Sequence, residues 1–505
     1  MVTSIFYPKS SADYMNSTAY NQVGRSNFGD KRLAKRYDDL MALVKQKGSV
    51  VFHQLSTALK ETIGAYRFIN NSRVSLGELI YQSCNIEPLS VIDQDLIAYI
   101  DGTEIGVKLN SMNKSHWAEH YGVHGGNQNP GFYLYPSLIM STVSSRIIGL
   151  GDMLIYNRPL TKGSKADNVK QRTKRRLLGL EQQESGVWPI VARNTNRRLT
   201  KAKRLTFVMD QGGDIYESLQ QIETQLGRDF IVRVKNNRQA KDLDKGIEGR
   251  FSDLLGQRSS LSYTQVPIRG LNHYSKTRAK RIKRRKRQAL LGIKYIRVAL
   301  KRPAHYIQTQ HRNKPSLDRP LYLVEVKEHP STVPSGEGPI HWRLLTTWSI
   351  NGLTDAQKVV QVYQNRWNIE QLFRILKEQG FKIERSQYRD PYITEKLAVM
   401  ALKASADALQ LVQVRDSQTF VPIQTMFTPE QCQVLGKFNQ ELSGQTLTVI
   451  NPHAAESLSW AAWIIARLGG WKGYASQRPP GPITMDRGLK RFKDFCTLQD
   501  LIKDP

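Results

Sequence analysis

The chain has 505 residues, with 74 Lys and Arg against 44 Asp and Glu, so its formal net charge at pH 7 is +30. Apolar residues make up 40% of the chain and aromatic residues 9%, which is typical of a globular protein and excludes general disorder. No uninterrupted apolar run approaches the roughly 18 residues of a membrane helix, and the first residues lack a secretory pattern. Three cysteines are too few for a disulfide framework. We therefore expect a basic, cytoplasmic protein of about three domains.

The positive charge is concentrated in two segments. Nine of the twelve residues in 276–287 are Lys or Arg, and residues 162–204 contain thirteen basic residues against three acidic ones. One basic run alone is often a solvated loop or a localisation signal. Two such segments within a folded chain favour a long surface that tracks nucleic acid. Charge thus predicts the partner, but it does not predict the chemistry.

The first 75 residues are predicted to be helical. Asp30 is placed to cap a helix over 31–47, whose apolar residues recur at near-helical spacing, and Gly48 follows as a stop signal. A second helix is predicted over 57–70. These helices have the composition of a DNA-binding head, although the first of them could equally serve only in packing.

The middle of the chain alternates short apolar runs with turns. The runs at 96–100, 205–209 and 230–234 predict buried strands, and helical stretches between them indicate an α/β core. Residues 238–340 lose that rhythm, and we interpret them as a β-rich insertion. The tail from about 390 is predicted to be helical.

Two acidic residues come directly after predicted strands. Asp101 follows the first strand and Asp210 follows the second. This placement puts a carboxylate at the rim of a sheet, where a crevice is open, although an Asp at the end of a strand is also a common turn former. Asp214 is different, because the segment Asp214-Ile-Tyr-Glu217 predicts a helix N-cap with a capping box and therefore a structural role.

A third acidic residue lies on a predicted helix over 359–380. At about 100° per residue, Tyr363, Arg366, Glu370 and Lys377 share a stripe about 60° wide beside the apolar face. Such a stripe could be only a solvated edge. It also suits a site in which cations hold DNA phosphates while the acid holds a metal.

Asp101, Asp210 and Glu370 are the residue types that two Mg²⁺ ions need. Mg²⁺ takes oxygen ligands, and two ions ~3.5–4 Å apart can activate an attacking hydroxyl and stabilise the leaving oxygen of a phosphodiester displacement. The sequence contains no Ser-His or Cys-His arrangement that indicates a covalent nucleophile instead.

The spacing Tyr363-x2-Arg366-x3-Glu370-x6-Lys377 resembles the YREK signature of the insertion-sequence-four family of bacterial DDE transposases, which includes the cut-and-paste transposase of transposon five. Further segments resemble this family in the expected order. They are residues 29–36 and 64–71 for the end-binding domain, Asp101-Gly102-Thr103 for the first acidic motif, Glu184, Ser185 and Trp188 for a segment between the first two acids, and residues 210–216 for the second motif.

The resemblance implies a fold of the α/β class. It predicts an RNase H-like catalytic core with a β-rich insertion, flanked by an N-terminal helical DNA-binding domain and a C-terminal helical dimerisation domain. The expected boundaries are 1–75 for the transposon-end-binding domain, 76–390 for the core with its insertion at about 238–340, and 391–505 for the dimerisation domain. The implied partners are double-stranded DNA, as transposon ends and as target, and a second copy in a synaptic homodimer. The implied location is the bacterial nucleoid.

The resemblance also implies roles for individual residues. Asp101, Asp210 and Glu370 would be catalytic and would bind two Mg²⁺ ions, or Mn²⁺ in their place, with Thr103 supporting the first acid. Trp342, which could also be a core residue at the start of a strand, would stack on a base flipped out of the duplex. The expected DNA contacts are Tyr363, Arg366, Arg374, Lys377, Trp342, Arg233, Arg36 and Arg67.

One motif departs from the family pattern. The second catalytic Asp is usually followed by Arg-Glu, whereas Gln211 and Gly212 follow Asp210 here. The ligand itself is kept, but the contacts around it are expected to differ.

The function expected is that of a cut-and-paste transposase. It would bind inverted-repeat ends, cleave them by two-metal hydrolysis and transesterification through a hairpin, and join the 3′-hydroxyl ends to target DNA. Two alternatives remain open. One is a catalytically silent protein, either a domesticated DNA-binding protein or a transposition inhibitor, and the other is an RNase H-like nuclease unrelated to mobility.

Overall fold

The computed structural model describes most of residues 26–503. The residues in this span that it does not describe are 56–57, 87, 109, 111, 113–114, 116, 118–120, 122, 125–128, 144, 158–179, 269, 276–279, 304–316, 318, 380, 386, 416–419, 445–449, 475–476 and 478. Parts of both basic segments, at 162–179 and 276–279, therefore lie outside the described residues.

The secondary-structure elements are numbered in chain order. The α-helices are α1 (Lys31–Lys47), α2 (Leu59–Ile69), α3 (Leu76–Ser83), α4 (Val187–Arg198), α5 (Tyr216–Gln220), α6 (Phe251–Gly256), α7 (Leu353–Gln364), α8 (Trp367–Arg374), α9 (Pro391–Val414), α10 (Pro429–Leu442), α11 (Leu458–Leu468) and α12 (Pro482–Lys503). The strands are β1 (Asp95–Ile100), β2 (Thr103–Gly106), β3 (Val123–His124), β4 (Asn129–Ser141), β5 (Ile147–Tyr156), β6 (Arg204–Met209), β7 (Asp229–Arg233), β8 (Gln239–Asp242), β9 (Glu248–Arg250), β10 (Ser262–Ile268), β11 (Leu271–Ser275), β12 (Lys280–Arg284), β13 (Arg287–Leu300), β14 (Leu321–Glu328) and β15 (His341–Thr346).

The N-terminal helices follow local sequence signals. The carboxylate of Asp30 accepts the backbone N–H of Arg32 at 2.9 Å and caps α1, as predicted. Gly48 ends the helix in the left-handed conformation, with φ of 56°, which a residue without Cβ adopts at little cost. The helix predicted over 57–70 is α2.

One large mixed sheet forms the middle of the molecule. β1, β6 and β7 are parallel neighbours at its centre, and β4 pairs antiparallel with both β1 and β5. On the other side of β7 the order continues through β15, β14 and β13 to β8 and β9. The three strands predicted from apolar runs are confirmed as β1, β6 and β7. Residues 238–340 are rich in β-strands, as predicted, and most of those strands extend this same sheet.

Apolar side chains cover both faces of the sheet because the central strands are buried on both sides. One cluster joins the sheet to α1, α3, α7, α8 and α9, and it includes Tyr99 of β1. The opposite cluster lies beneath α4, α5 and α6 and includes Phe207 of β6. A third cluster is formed by the end of α9 with α10, α11 and α12. The acidic residues at the strand ends are therefore carried by a rigid scaffold.

Helix α9 links the N-terminal helices to the sheet. By length and apolar composition it could cross a membrane, but 78% of its most apolar window is buried inside the fold. Lys396 donates its Nζ to the backbone carbonyl of Ile69 at 2.7 Å, and Asp407 pairs with Lys45 of α1 at 2.5 Å and with Lys403 at 2.7 Å. These buried polar contacts are those of an internal core helix.

Candidate active site

Strand register brings the first two acids together. β1 and β6 are parallel and in contact, with Ile100 opposite Met209. Asp101 and Asp210 each follow the last residue of their strand, so they leave adjacent strands at the same edge. Neighbouring strands lie about 4.8 Å apart, which places both carboxylates at one rim.

Backbone amides orient both carboxylates. Asp101 accepts the N–H of Gly102 at 2.8 Å through Oδ1, which leaves Oδ2 for other partners. Asp210 caps a short 3₁₀ turn over Gln211–Gly213, accepting the N–H of Gly212 at 2.7 Å. Gln211 and Gly212, where the sequence departs from the family motif, thus form the turn that fixes the second acid.

The segment 359–380 is not a single helix, and this corrects the prediction. α7 ends at Gln364, α8 begins at Trp367, and a π-helical turn follows over Ile375–Gln379. The Val362 carbonyl accepts the Tyr99 hydroxyl at 3.1 Å, and the Arg366 N–H bonds the Tyr363 carbonyl at 3.1 Å instead. At the break, the Tyr99 hydroxyl of β1 bonds the carbonyl to which the Arg366 N–H would donate in an unbroken α-helix. Arg366 therefore bonds the carbonyl three residues back, as in a 3₁₀ turn.

Arg366 joins the first and third acids. Its Nη1 lies 2.5 Å from Oδ2 of Asp101, and its Nη2 lies 2.6 Å from Oε1 of Glu370. Burial raises the pKa of Asp101 to about 7, and Asp210 adds to the rise, whereas Arg366 opposes it. Glu370 also raises the pKa of Asp101, so both other carboxylates act electrostatically on the first acid. The structure thus places a guanidinium between Asp101 and Glu370, while Asp210 follows the strand next to that of Asp101.

Tyr363, Trp342 and Arg233 lie beside the acids. Tyr363 is buried, and its ring meets the Trp342 ring edge-on with centroids 5.7 Å apart. Burial raises the pKa of Tyr363, while Arg366 and Arg233 lower it. Leu344 of β15 pairs with Arg233 at the end of β7, so Trp342, two residues earlier, also lies at the edge of the acids. Trp342 is half-buried there, at the second position of a strand.

The remaining predicted residues of this region lie on the segments that follow the acids along the chain. Arg374 is exposed at the end of α8. Lys377 lies in the π-helical turn, with its Nζ 3.4 Å from Oε1 of Glu384, which also accepts the N–H of Gly106. Thr103 is buried at the first position of β2, two residues after Asp101.

Asp214 does not form the predicted capping box. The N-cap of α5 is Ile215, and it makes no side-chain capping bond. The buried Asp214 carboxylate instead accepts the backbone N–H groups of Lys235 and Asn236 at 2.8 and 3.0 Å and binds Arg238 at 2.7 Å. Its role is structural, as predicted, but it fixes the loop after β7 and not the start of a helix.

Arg36 and Arg67 line one cleft far along the chain from the acids. The cleft, of about 800 Å³, lies between α1 and α2. Both arginines are exposed, and Arg32, Lys60 and Arg73 also line it. Leu59 and Ile63, which are 74% and 41% exposed, add an apolar rim. A basic cleft with an apolar rim is suited to a polyanion with a partly apolar surface, such as the groove of a duplex.

The carboxylate oxygens at the sheet edge are the kind of ligand that a hard cation takes. Carboxylate oxygens are the ligands that Mg²⁺ and Mn²⁺ take, and the charges of Asp210 and Glu370 both raise the pKa of Asp101, so both lie within electrostatic range of it. Among the residues that the structure describes, no three His, Cys, Asp or Glu side chains are gathered closely enough to hold a metal ion. The guanidinium of Arg366 pairs with two of the acids and balances their negative charge.

Two family models match the chain. Residues 182–405 match the transposase DDE domain, and residues 15–74 match the transposase DNA-binding domain. The chain therefore carries a transposase DDE domain and a transposase DNA-binding domain, which together support a DDE transposase. The DDE domain implies a nuclease or strand-transferase activity on an RNase H-like core, and the DNA-binding domain gives DNA as the partner. The DDE match contains Asp210 and Glu370, and the DNA-binding match contains Arg36 and Arg67.

Sequence reasoning missed two features of this site. The first is Trp367, which is 53% exposed directly beside Arg366. An indole at a polar position of an amphipathic helix is the sequence signal that could have identified it. The second is Tyr99, which the sequence shows only as part of an apolar run. No neighbouring residue indicates that its hydroxyl bonds a carbonyl 263 residues away.

Proposed function

We propose that this protein is a DDE transposase that works by cut-and-paste on a DNA element with inverted-repeat ends. The single observation that carries the proposal is the arrangement at the sheet edge. Asp101 and Asp210 leave adjacent parallel strands in register, and Arg366 ties Glu370 to Asp101. An edge that holds three acids on rigid elements suits phosphodiester chemistry on a bound duplex.

End recognition is assigned to the cleft between α1 and α2. Its exposed cations, Arg36 and Arg67 among them, would neutralise backbone phosphates and set the register of the duplex. The exposed Leu59 and Ile63 would contact the groove. Binding there is separate from the acids, so end binding and cleavage are expected to be separable by mutation.

Asp101, Asp210 and Glu370 would hold the divalent metals, Mg²⁺ or Mn²⁺. When bound, two such ions activate the attacking hydroxyl and neutralise charge on the phosphate and the leaving oxygen. Arg366 would exchange its carboxylate partners for a scissile-strand phosphate, because a planar guanidinium binds phosphate oxygens as well as it binds carboxylates. Lys377, Arg374 and Arg233 would hold neighbouring phosphates.

The order of bond changes follows from cut-and-paste chemistry. Water attacks the phosphate at each transposon end, breaking the P–O3′ bond and leaving a 3′-hydroxyl. That hydroxyl attacks a phosphate of the opposite strand and forms a hairpin, expelling the 3′-oxygen of the flanking DNA, and a second water then opens the hairpin and regenerates the 3′-hydroxyl. The same hydroxyl attacks a phosphate of the target DNA and displaces a target 3′-hydroxyl. Trp342, at the edge of the acids with Tyr363 behind it, would stack on the base that a hairpin forces out of the duplex.

Two copies are proposed to act together, each binding one end and cutting the other. The helical region from α9 to α12 would supply their contact. This assignment leaves the sheet edge of each copy facing the DNA that its partner holds.

The test is cleavage of a supercoiled plasmid that carries the coding sequence with its native flanks. Purified protein with Mg²⁺ is expected to cut at paired inverted repeats. Glu370→Gln, which removes a charged ligand and little volume, should lower cleavage by at least about a hundredfold while end binding stays within about twofold. The matched control is Glu441→Gln, an exposed acid on α10.

Two outcomes would count against the proposal. Cleavage by Glu370→Gln at the wild-type rate would refute the assignment of the acids. Wild-type binding to the ends without cutting, across Mg²⁺ and Mn²⁺, would favour the catalytically silent DNA-binding protein.

A further inference from the structure

Tyr99 is a fully buried tyrosine of β1, two residues before the first acid. Side chains on a strand alternate between the two faces of the sheet, so residues two apart point to the same face. Tyr99 packs in the cluster that joins the sheet to α7 and α8, and Asp101 leaves the strand on that side as well. A buried hydroxyl is costly without a hydrogen-bond partner, so the partner of Tyr99 is a constraint on the fold.

The partner of the Tyr99 hydroxyl is a backbone group of the neighbouring helix. The hydroxyl donates to the Val362 carbonyl oxygen at 3.1 Å, and the Met140 sulfur lies 3.8 Å away. Burial raises the pKa of Tyr99, whereas a hydrogen bond with the Asn365 side chain lowers it. The hydroxyl is therefore a neutral donor, and two of these three groups belong to the end of α7.

Engagement of the Val362 carbonyl changes the helix from that point on. In an α-helix this carbonyl would accept the N–H of Arg366, four residues later. Arg366 donates to Tyr363 at 3.1 Å instead, and Ile369 donates to Arg366 at 3.0 Å, each to the carbonyl three residues back. A 3₁₀ turn advances about 120° per residue against about 100° in an α-helix, so the break rotates α8 about its axis relative to α7.

The rotated segment carries two of the groups at the sheet edge. Arg366 lies at the break itself, and Glu370 lies one turn beyond it in α8. The Arg366 guanidinium contacts Asp101 on one side and Glu370 on the other. A different rotation at the break would move both groups away from Asp101, which stays on β1.

Two contacts thus join β1 to the break, and their spacings match. On the strand, Tyr99 and Asp101 are two residues apart, which is about 6.6 Å. On the helix, Val362 and Arg366 are four residues apart, which is about 6 Å. Strand and helix can therefore run side by side and make both contacts without distortion.

The two contacts differ in how they respond to DNA. The side chains of Asp101 and Arg366 are each 15% exposed and charged, so under the proposed function a phosphate competes for Arg366 and a metal for Asp101. The contact of Tyr99 with Val362 is uncharged and made to the backbone, so neither ligand competes for it. Of these two contacts, it is the one that remains when the ion pair opens.

We propose that Tyr99 is a positioning residue for the acids, whose hydroxyl holds the break between α7 and α8 in register with β1. Arg366 and Glu370 then stay opposite Asp101 after Arg366 turns to a phosphate. The proposal rests on the proposed function for the reaction that these groups serve. Its statement about the break does not, because the contact of Tyr99 is made within the protein.

The test removes one hydroxyl and keeps the ring. Tyr99→Phe takes away the donor, and 4-aminophenylalanine placed at position 99 restores an N–H at the same point. The matched control is Tyr37→Phe, because the buried Tyr37 hydroxyl also bonds another element, Ser83 of α3, at 2.9 Å. The full-length proteins are compared by thermal unfolding, by duplex affinity, and by plasmid cleavage with Mg²⁺ over a range of DNA concentrations.

Tyr99→Phe should lower kcat by at least about tenfold, because displacing a catalytic group by about 1 Å can cost a hundredfold. KM and duplex affinity should stay within about twofold, since most of the phosphate-binding cations do not move. The 4-aminophenylalanine protein should recover most of the lost rate. Tyr37→Phe should cut like the wild type, with a loss of thermal stability similar to that of Tyr99→Phe.

A second readout reports on the break without any DNA. Trp367 is the first residue of α8, is 53% exposed, and is one of eight tryptophans. In protein labelled with 5-fluorotryptophan, the ¹⁹F signal of Trp367 is assigned with Trp367→Phe. This signal should shift in Tyr99→Phe and return with 4-aminophenylalanine. It should keep its wild-type position in Tyr37→Phe, and the signals of Trp460 and Trp463 in α11 should keep theirs throughout.

A wild-type rate in a folded Tyr99→Phe protein would overturn the inference, as would an equal loss of rate in both tyrosine variants. So would a Trp367 signal that Tyr99→Phe leaves in place, because the break would then not depend on the hydroxyl. If the wild type does not cut, the proposed function fails, and the Trp367 signal still decides by itself whether Tyr99 holds the break.

Discussion

The Nη1 atom of Arg366 lies 2.5 Å from Oδ2 of Asp101, across 265 residues of sequence. The same guanidinium holds Glu370, so one cation balances two of the three acids at the sheet edge. A cation in that place competes with any divalent metal for the same oxygens. Under the proposed function, the same guanidinium would hold a phosphate when DNA arrives.

We predict that Arg366→Gln binds Mn²⁺ more tightly than the wild type in the absence of DNA, by several-fold, because the competing charge is gone. Cleavage should fall by about a hundredfold or more, because the phosphate contact is lost with it. Isothermal titration with Mn²⁺ and plasmid cleavage measure the two effects. Arg374→Gln, an exposed arginine on the same helix, should leave Mn²⁺ affinity unchanged. Weaker Mn²⁺ binding by Arg366→Gln would show that Arg366 supports the acids and does not compete for them.

Asp214→Asn should destabilise the fold by roughly 3 kcal/mol, because it leaves the largely buried Arg238, 13% exposed, without its carboxylate. Urea unfolding measures the free energy of unfolding. Asp244→Asn is the matched control, since Asp244 is half-exposed and lies 3.5 Å from Arg258, and it should cost less than about 0.5 kcal/mol. Adding Arg238→Leu to Asp214→Asn should restore part of the loss. Equal stabilities for the two single variants would contradict the role given to Asp214.

The sequence predicted those parts of the molecule that depend on local signals. The cap at Asp30, the strands β1, β6 and β7, and the carboxylates that follow two of them all depend on neighbours within a few residues. It failed where a distant group changes the local result. Tyr99 takes the carbonyl of Val362 and tightens the helix, and the loop after β7 takes the carboxylate of Asp214.

The pH dependence of stability should include a contribution from Glu325. Burial would raise its pKa, but hydrogen bonds from His341 and Arg343 and the charge of Lys294 lower it from 4.5 to about 2. Because the folded pKa is the lower one, this stabilisation is complete above about pH 4.5 and is lost as the pH falls towards 2. The carboxylate is 5% exposed, so the contribution is roughly 3 kcal/mol at most.

Glu325→Gln should remove that contribution. Urea unfolding of the wild type and the variant between pH 6 and pH 3 should give a stability difference that narrows as the solution is acidified. Glu248→Gln is the control, because Glu248 is 63% exposed and pairs with Lys301 at 3.5 Å, and its difference from the wild type should stay flat. A difference that is constant with pH for Glu325→Gln would show that its charge is not what stabilises the fold.

Gly212 has no room for a side chain beside the second acid. A Cβ there would lie 2.7 Å from Cζ2 of Trp188 and 2.9 Å from Oδ1 of Asp210. Because displacement of a catalytic group by about 1 Å can cost a hundredfold in rate, Gly212→Ala should lower plasmid cleavage by at least about tenfold. DNA affinity should stay within about twofold, since no phosphate-binding cation moves. Adding Trp188→Phe should recover part of the activity by making space on one side.

Gly436→Ala, where a Cβ on α10 meets nothing within 4 Å, should cut like the wild type. Normal cleavage by Gly212→Ala would mean that the position of Asp210 tolerates the crowding and that the turn is not what fixes it.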